Sequence, residues 1–445
     1  MIYMSNSDKP ICVFQSPMWT RSGYGDWGLA VAKSLLRYNK FDLYMFPTKW
    51  GACSRKNLEK QMKTEEEKIL FSKILRTQLP RQPEVYIQMT IPNEFQPLGK
   101  FNIGMTAGIE TTLCRGDWLE GMNRMNINVV LSEHIKTVFE STSATKSDPN
   151  NPSVPPQSVK VEKPMRVIFW GSDTSIYKPV TEISETVNES LKSIPESFCF
   201  LFIGQWTSGG LYNDRKDVGN LIKTFLETFQ DMEGKETPAL IIKTSGAAIC
   251  NMDKYDMIAR IKAITNDVSS KSKTVPNVYL LYGDLDEIEM NSLLNHPRVK
   301  AHVSFTHGEG FGHPLLISTL SAKPVLASSW SGHIDFLNPK LCQLLAGELK
   351  VLPPDCVNEW LIKDSAWFYV NYDYAKEKFR NVFYHYGAYR KKAEELAKEN
   401  SEKFSTQAMD LKFHGFLDEV IPKFATEQKL VLPRLKKISL PTLKK

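Results

Sequence analysis

Over its 445 residues the sequence has no C-x-x-C pair, no apolar run that approaches a membrane span and no strong charge imbalance. Its seven cysteines, Cys12, Cys53, Cys114, Cys199, Cys250, Cys342 and Cys356, are scattered and odd in number. That pattern argues against a disulfide framework or a thiolate zinc site and for reduced core thiols. The opening MIYMSNSDKP lacks the apolar core of a signal peptide, so a cytoplasmic protein without a membrane span is expected. Lys and Arg number 56 against 50 Asp and Glu, and the net +6 is too mild to diagnose a nucleic-acid partner. Its distribution says more, because the stretch 429–445 is basic and contains no acid. Such a tail is either solvated or a DNA-contacting segment. Five of the eight histidines (His296, His302, His307, His313, His333) crowd into 296–333, but their irregular spacing matches no zinc pattern.

A second absence excludes a dehydrogenase. Gly23-Tyr24-Gly25-Asp26-Trp27-Gly28 is a literal G-x-G-x-x-G. A nicotinamide-dinucleotide site needs that motif directly after its strand and an acid ending the second strand. Here eight residues separate it from the strand Ile11-Cys12-Val13-Phe14, and Leu43-Tyr44-Met45-Phe46 runs into Pro47-Thr48-Lys49.

What is present is an alternation of short apolar runs and helical spacings in a chain too long for one ordinary core, which points to two α/β domains. Strands are expected at Val85–Met89, Asn102–Met105 and Val129–Glu133. Phe198–Gly204, Leu240–Gly246 and Val278–Gly283 follow, the first of these apolar throughout, as a parallel strand buried on both faces would be. Helical spacing marks 29–36, an exposed helix over 59–76, and the long stretches 374–397 and 405–424. Residues 141–163, poor in apolar side chains and rich in Pro, Ser and Asn, read as a flexible loop or linker, and 336–367 reads as a linker. Loops just past the carboxyl ends of strands face the ligand crevice of an open α/β sheet. That makes Glu110 and Trp118 candidates for one side of the crevice, with a helix-capping carboxylate as the other reading of Glu110. Thr244 and Gly283, at two strand exits, are candidates for the other side. Asp284-Leu285-Asp286 has the look of a D-x-D metal motif, but Asp286-Glu287-Ile288-Glu289 reads better as a capped helix start.

The most informative stretch is 300–336. A short apolar run (Ala301–Phe305) leads into Gly308, Gly310 and Gly312, then Pro314 at a first helical turn, a helix ending near Ala322, and a second strand at Pro324–Ala327. Glycines between strand and helix admit a ligand close to backbone N–H groups, and the helix N-terminus favours an anion such as phosphate.

Glu309-Gly310-Phe311-Gly312-His313-Pro314-Leu315-Leu316 resembles the E-G-F-G-x-P-x-x donor-sugar motif of retaining, family-four-type glycosyltransferases, and Lys323–Ser328 resembles the strand that follows it. Asp173–Pro179 is similar to that family's domain-junction segment. The resemblance implies a GT-B fold: two Rossmann-like domains facing across a cleft, with C-terminal helices crossing back to the first. Residues 1–163 would form the acceptor-side domain, 164–400 the nucleotide-sugar domain, and 401–445 the return helix and basic tail. It implies Glu309 at the donor sugar and Arg215 and Lys216 at the diphosphate, with Gly23, Tyr24 and Gly25 closing the phosphate side. Gly310, Phe311 and Gly312 would bind the donor, and Glu110 and Trp118 would flank the acceptor. The family's second Glu, which holds the ribose, is replaced by Ile317. The co-substrate would be a nucleotide sugar, UDP-linked first, with no metal or other cofactor required. Segments 20–25, 91–94, 107–112 and 331–336 look like glycosyltransferases of tailed bacteriophages, among them enzymes that transfer glucose or arabinose to 5-hydroxymethylcytosine. A phage-encoded enzyme would meet double-stranded DNA in the host cytoplasm. A glycan, lipid or small-molecule acceptor, or a non-catalytic nucleotide-sugar- or DNA-binding protein, are the alternatives.

Overall fold

The structure, a computed structural model, describes residues 9–51, 53–55, 64–147, 153, 155–207, 210–232, 237–246 and 249–424. The basic segment 429–445 lies outside the described residues.

The first sheet contains β1 (Ile11–Ser16), β2 (Asp42–Pro47), β3 (Val85–Met89), β4 (Phe101–Thr106) and β5 (Ile127–Val130). Beyond a short antiparallel pair, β6 (Ala144–Lys146) and β7 (Gln157–Val159), β8 (Met165–Val167) completes it in the order β2-β1-β3-β4-β5-β8, all parallel. The described part of 141–163 is therefore partly a hairpin rather than a linker, and the chain returns from it to the first sheet. The helices of this half are α1 (Gly23–Tyr38), α2 (Glu65–Ser72), α3 (Gly116–Arg124) and α4 (Glu133–Ser141).

After α5 (Glu185–Leu191) the second sheet is built from β9 (Cys199–Ile203), β10 (Ala239–Lys243), β11 (Val278–Leu281), β12 (Val299–Ser304), β13 (Val325–Ser328) and β14 (Gln343–Leu345). Its order is β11-β10-β9-β12-β13-β14, again parallel throughout. Between the strands run α6 (Val218–Phe229), α7 (Asn251–Ser269), α8 (Glu287–Asn295) and α9 (His313–Leu320). In both sheets the order turns back at the first strand laid down, which opens a crevice at the carboxyl ends of the strands.

The stretch read as a linker holds β14 and an antiparallel pair, β15 (Gly347–Val351) and β16 (Ala366–Val370), joined by an arm over 352–365. The chain ends in α10 (Tyr372–Tyr384), α11 (Tyr386–Lys403) and α12 (Thr406–Val420). The last crosses back to α1, where Arg37 pairs with Asp410, Tyr38 and Lys40 meet Asp418, and His414 bonds the Ser34 carbonyl. Buried Phe404, Phe413, Phe416 and Leu417 join the core that runs through both domains.

The glycine-rich loop expected before the first helix is helix. Ser22 caps α1 by accepting from Gly25 N–H, so Gly23 and Gly25 lie in its first turn. A Cβ at Gly25 would collide with the Thr20 carbonyl, and one at Gly28 would sit 2.9 Å from Ser16 Oγ. Close packing of α1 on its own entry loop accounts for both.

Candidate active site

The loop after β12 and the loop before α6 meet at the centre of the cleft. His307 N–H donates to the Arg215 carbonyl (2.8 Å) and Arg215 Nη1 donates to the Gly308 carbonyl (2.8 Å), so the two loops hold each other. Lys216 Nζ pairs with Glu309 Oε1, and Arg215 Nη1 lies 3.6 Å from Glu309 Oε2. From the first domain, Glu110 Oε1 approaches the same guanidinium at 3.3 Å. Two cations and two carboxylates, from loops on both sheets, thus share one point. Glu110 caps no helix, since α3 starts at Gly116 with Arg115 as its cap.

The electrostatics follow from the burial. Burial pushes the Glu309 carboxyl up, but Lys216 and Arg215 beside it outweigh this and hold it down at about 2. Burial lowers Lys216 in spite of Glu309, whereas Glu110 and Glu309 raise Arg215 against its own burial. Glu309 is further fixed through its N–H, which donates to Ser331 Oγ at 2.9 Å.

Behind the cations sits a sealed acid. Asp217, the αL cap of α6 (φ 50°), accepts from Tyr372 Oη at 2.6 Å and from Asn220 Nδ2 at 2.7 Å. Burial raises its carboxyl to about 7 against those two hydrogen bonds. His307 Nε2 lies 4.0 Å away without a hydrogen-bond partner, while Nδ1 donates to the Phe368 carbonyl at 2.8 Å.

The glycines of the 308–312 loop answer a nearer need than a ligand. A Cβ on Gly308 would collide with the Glu110 carbonyl, and one on Gly310 would lie 2.7 Å from the Ala107 carbonyl. They let the main chains of the two domains touch. Gly312 caps α9 at φ 86°, where a side chain would be strained and 2.9 Å from His333 Cβ.

The other sequence candidates divide. Tyr24 reaches from α1 to the end of β4, where its hydroxyl accepts from Ala107 N–H (2.9 Å) and meets Thr106 Oγ1 (3.0 Å); its ring stacks on Trp50 at 4.0 Å. Gly23 and Gly283 both face open space, the latter at φ 121°. Between them Arg21 pairs with Asp284 across the cleft. Thr244 is buried at the exit of β10. Asp286 caps α8 in a capping box with Glu289, and among the described residues no group of His, Cys, Asp and Glu could hold a metal ion.

Two placements need correction. Trp118 is 2% exposed and packs with Phe139 and Met122 in the core of the first domain, because α3 turns that face inward; its indole does not reach the cleft. The Phe311 ring is buried among Phe336, Phe169 and Phe404, so this residue offers the cleft only its backbone. Ile317 lies on α9 inside the core cluster, and the departure from the family's second Glu is an apolar packing position.

The sequence reading missed Lys243 and the β15–β16 arm. Lys243 ends the otherwise apolar β10, donates to the Gly283 carbonyl and is lowered to about 8 by burial. A lysine closing an apolar strand at its carboxyl end was the available signal. The arm left no comparable mark.

No protein-family model matches the sequence, and no curated protein resembles it in sequence. Solved structures do resemble its fold. A glycosyltransferase from Rickettsia africae superposes with TM-score 0.61 at 13% identity, covering 93% of this chain and 99% of that one. Sucrose-phosphate synthase from Thermosynechococcus elongatus gives 0.59 at 11% identity, with 93% and 99% covered. The fold is GT-B. Anabaena HepE in complex with UDP and glucose, at TM-score 0.56 and 10% identity, covers 92% of this chain and matches over 100% of its own length. At these identities the likeness speaks for the fold. Among the described residues, no helix is long and apolar enough to cross a membrane.

Proposed function

We propose that the protein is a retaining glycosyltransferase that moves a sugar from a nucleoside diphosphate to an acceptor hydroxyl. The observation that carries this reading is the convergence of Arg215, Lys216, Glu309 and Glu110 where the loops of the two domains meet. As the bond from the anomeric carbon to the phosphate oxygen breaks, negative charge grows on the diphosphate. Arg215 and Lys216 oppose it, and the N-terminus of α9 adds a partial positive charge. The acceptor oxygen forms its bond on the face the diphosphate leaves, and the acceptor proton passes to the departing phosphate oxygen. Glu309 accepts hydrogen bonds from the donor sugar and Glu110 faces the acceptor hydroxyl. Gly23, Tyr24 and Gly25 close the phosphate side, while Thr244, Gly283 and the backbone of 310–312 border the donor. The scheme asks nothing of a metal, since two cations and a helix terminus already face the diphosphate. HepE's complex with UDP supports UDP as the first nucleotide to test.

For the acceptor, the phage-enzyme resemblance supports 5-hydroxymethylcytosine in DNA, with glucose or arabinose as the sugar. Lys49 and Arg55, exposed beyond the end of β2, are cations that could follow a phosphate backbone. Mass spectrometry of hydroxymethylated duplex DNA incubated with UDP-glucose and UDP-arabinose tests this, and binding carried by phosphate contacts should weaken steeply with salt. A different surface favours a glycan or small-molecule acceptor: a cavity lined in part by Leu113–Asp117, the segment that follows Glu110 in the chain, with Asp117 and Asp364 against one Arg115. UDP release from a panel of UDP-sugars without acceptor tests the donor half, and a protein that releases none from any donor is not this enzyme.

A further inference from the structure

The arm over 352–365 belongs to the second domain but reaches the first. Thr112 N–H donates to the Ala366 carbonyl (3.2 Å), Ala366 N–H returns a bond to Thr112 Oγ1 (2.9 Å), and Arg115 donates to the Glu359 carbonyl. The Arg115 guanidinium lies over the Trp360 ring at 5.7 Å, and Leu361 packs on the apolar cluster around Trp118 and Phe139. Between this arm, the segment that starts α3 and the end of α4 is a cavity of about 420 Å³. That falls within the range of roughly 300–1,000 Å³ typical of small-molecule sites.

Two features of this cavity restrict its guest. One is position: Leu113 lines it, three residues beyond Glu110 on the same loop, so the α-carbons of the two residues lie within about 11 Å of each other. The other is chemistry. Leu113, Arg115, Asp117, Ser143, Ile362 and Asp364 line it, so one cation stands against two carboxylates. Arg115 is already engaged by Asp117, through Nε at 2.9 Å and Nη2 at 2.7 Å. Asp117 also occupies the first turn of α3, so the positive end of that helix is already answered. Ionised carboxylates only accept hydrogen bonds, so a matching guest must donate them. Phosphates, which also only accept, are disfavoured here, because with Arg115 and Asp117 paired the remaining charge in the lining is the Asp364 carboxylate.

We propose that this cavity is an acceptor subsite for an uncharged, hydroxyl-rich group, a sugar unit of an acceptor whose reacting hydroxyl lies further along it, at Glu110. The proposal rests on the glycosyltransferase reading and deepens its acceptor half. Asp364 and Asp117 accept from the ring hydroxyls, Ser143 can donate or accept, and Leu113 and Ile362 cover the ring's apolar surface. Because the arm supplies Ile362 and Asp364, the subsite exists only while the second domain's arm is seated on the first.

The test measures UDP release without acceptor and, in parallel, transfer from UDP-glucose to a panel of neutral mono- and disaccharides and to a hydroxymethylated DNA duplex. Wild type is compared with Ser143→Trp, which fills the cavity, and Asp364→Lys, which reverses its charge. The expected result is transfer to at least one neutral sugar, with the ratio of transfer to UDP release falling about tenfold or more in both variants through a raised acceptor KM. UDP release with no neutral sugar modified overturns the proposal and leaves the donor reading standing. Transfer to the duplex that neither variant alters overturns it in favour of a nucleic-acid acceptor. Absence of UDP release from every donor in the panel overturns the glycosyltransferase reading and this proposal with it.

Discussion

Burial by itself would drive Glu309 to its neutral form and Lys216 to its free amine, and each is prevented from going far by the other. A carboxylate held at about 2 stays ionised until the pH falls through that value, so no change in activity between pH 5 and 9 should trace to Glu309. Lys216→Ala leaves Glu309 with Arg215 at 3.6 Å and removes one of two cations from the diphosphate. Turnover of a UDP-sugar should fall about a hundredfold or more, the usual cost of deleting one pre-positioned charge-stabilising group; an undiminished kcat would refute the assigned role. Asp217 titrates in the opposite sense. Its carboxyl is raised from 3.8 to about 7, so the folded protein keeps a proton that the unfolded chain has released over that interval. The stability it contributes is complete below 3.8, declines as pH rises and is gone above about 7. The midpoint of thermal unfolding should therefore drop between pH 5 and 8, and Asp217→Asn should flatten that slope while still accepting from Tyr372.

At the scale of elements, β16 is the coupling piece. Within three residues it bonds the acceptor-side loop at Thr112 and the donor-side loop at His307, through Ala366 and Phe368 respectively. A shift of either loop is transmitted to the other through a paired strand, not through a flexible connection. The glycine loop has the same character. Gly308→Ala places a methyl against the Glu110 carbonyl, where backbone cannot yield as a flexible side chain would. The expected cost is about 1–3 kcal/mol. Differential scanning calorimetry should record a lower melting temperature, and donor turnover should fall with it as Glu110 is pushed from Arg215. Gly387→Ala, at an exposed position of α11 where a Cβ meets nothing within 4 Å, is the matched control.

For the whole molecule, the question is what keeps two lobes in one register. Exposed ion pairs such as Arg37–Asp410, Lys40–Asp418 and Arg21–Asp284 span them, but pairs of this exposure contribute about 0–1 kcal/mol each. The apolar face of α12 is the stronger tie, since Phe413 and Phe416 are buried at 3% and 4% exposure. Phe413→Ala should cost about 3–5 kcal/mol in urea unfolding, while Arg37→Ala should cost under about 1. The reverse ranking would mean that charge, not packing, closes the molecule.

Much of this was legible in the chain. Runs such as Cys199–Ile203 announce parallel strands because both faces are buried, so no alternation is needed to recognise them. Glu110 could be nominated because it follows a strand, where such sheets bind ligands, whereas Arg215, Lys216 and Glu309 were nominated by the resemblance of their segments to glycosyltransferase motifs. Trp118 was misplaced because its loop neighbours say nothing of which way α3 turns its faces, and the arm was missed because short strands among Pro and Asp carry no strong period. The sequence alone determined the strand–helix alternation and the paired domains, which depend on local periodicity and spacing, while its motif resemblance singled out Arg215, Lys216 and Glu309. Only the tertiary structure decided that Glu110 meets Arg215, that Gly308 and Gly310 clear a path for another main chain, and that the arm walls a cavity. Those contacts join residues far apart in the chain, and the packing energy that selects them leaves no periodic trace in either partner.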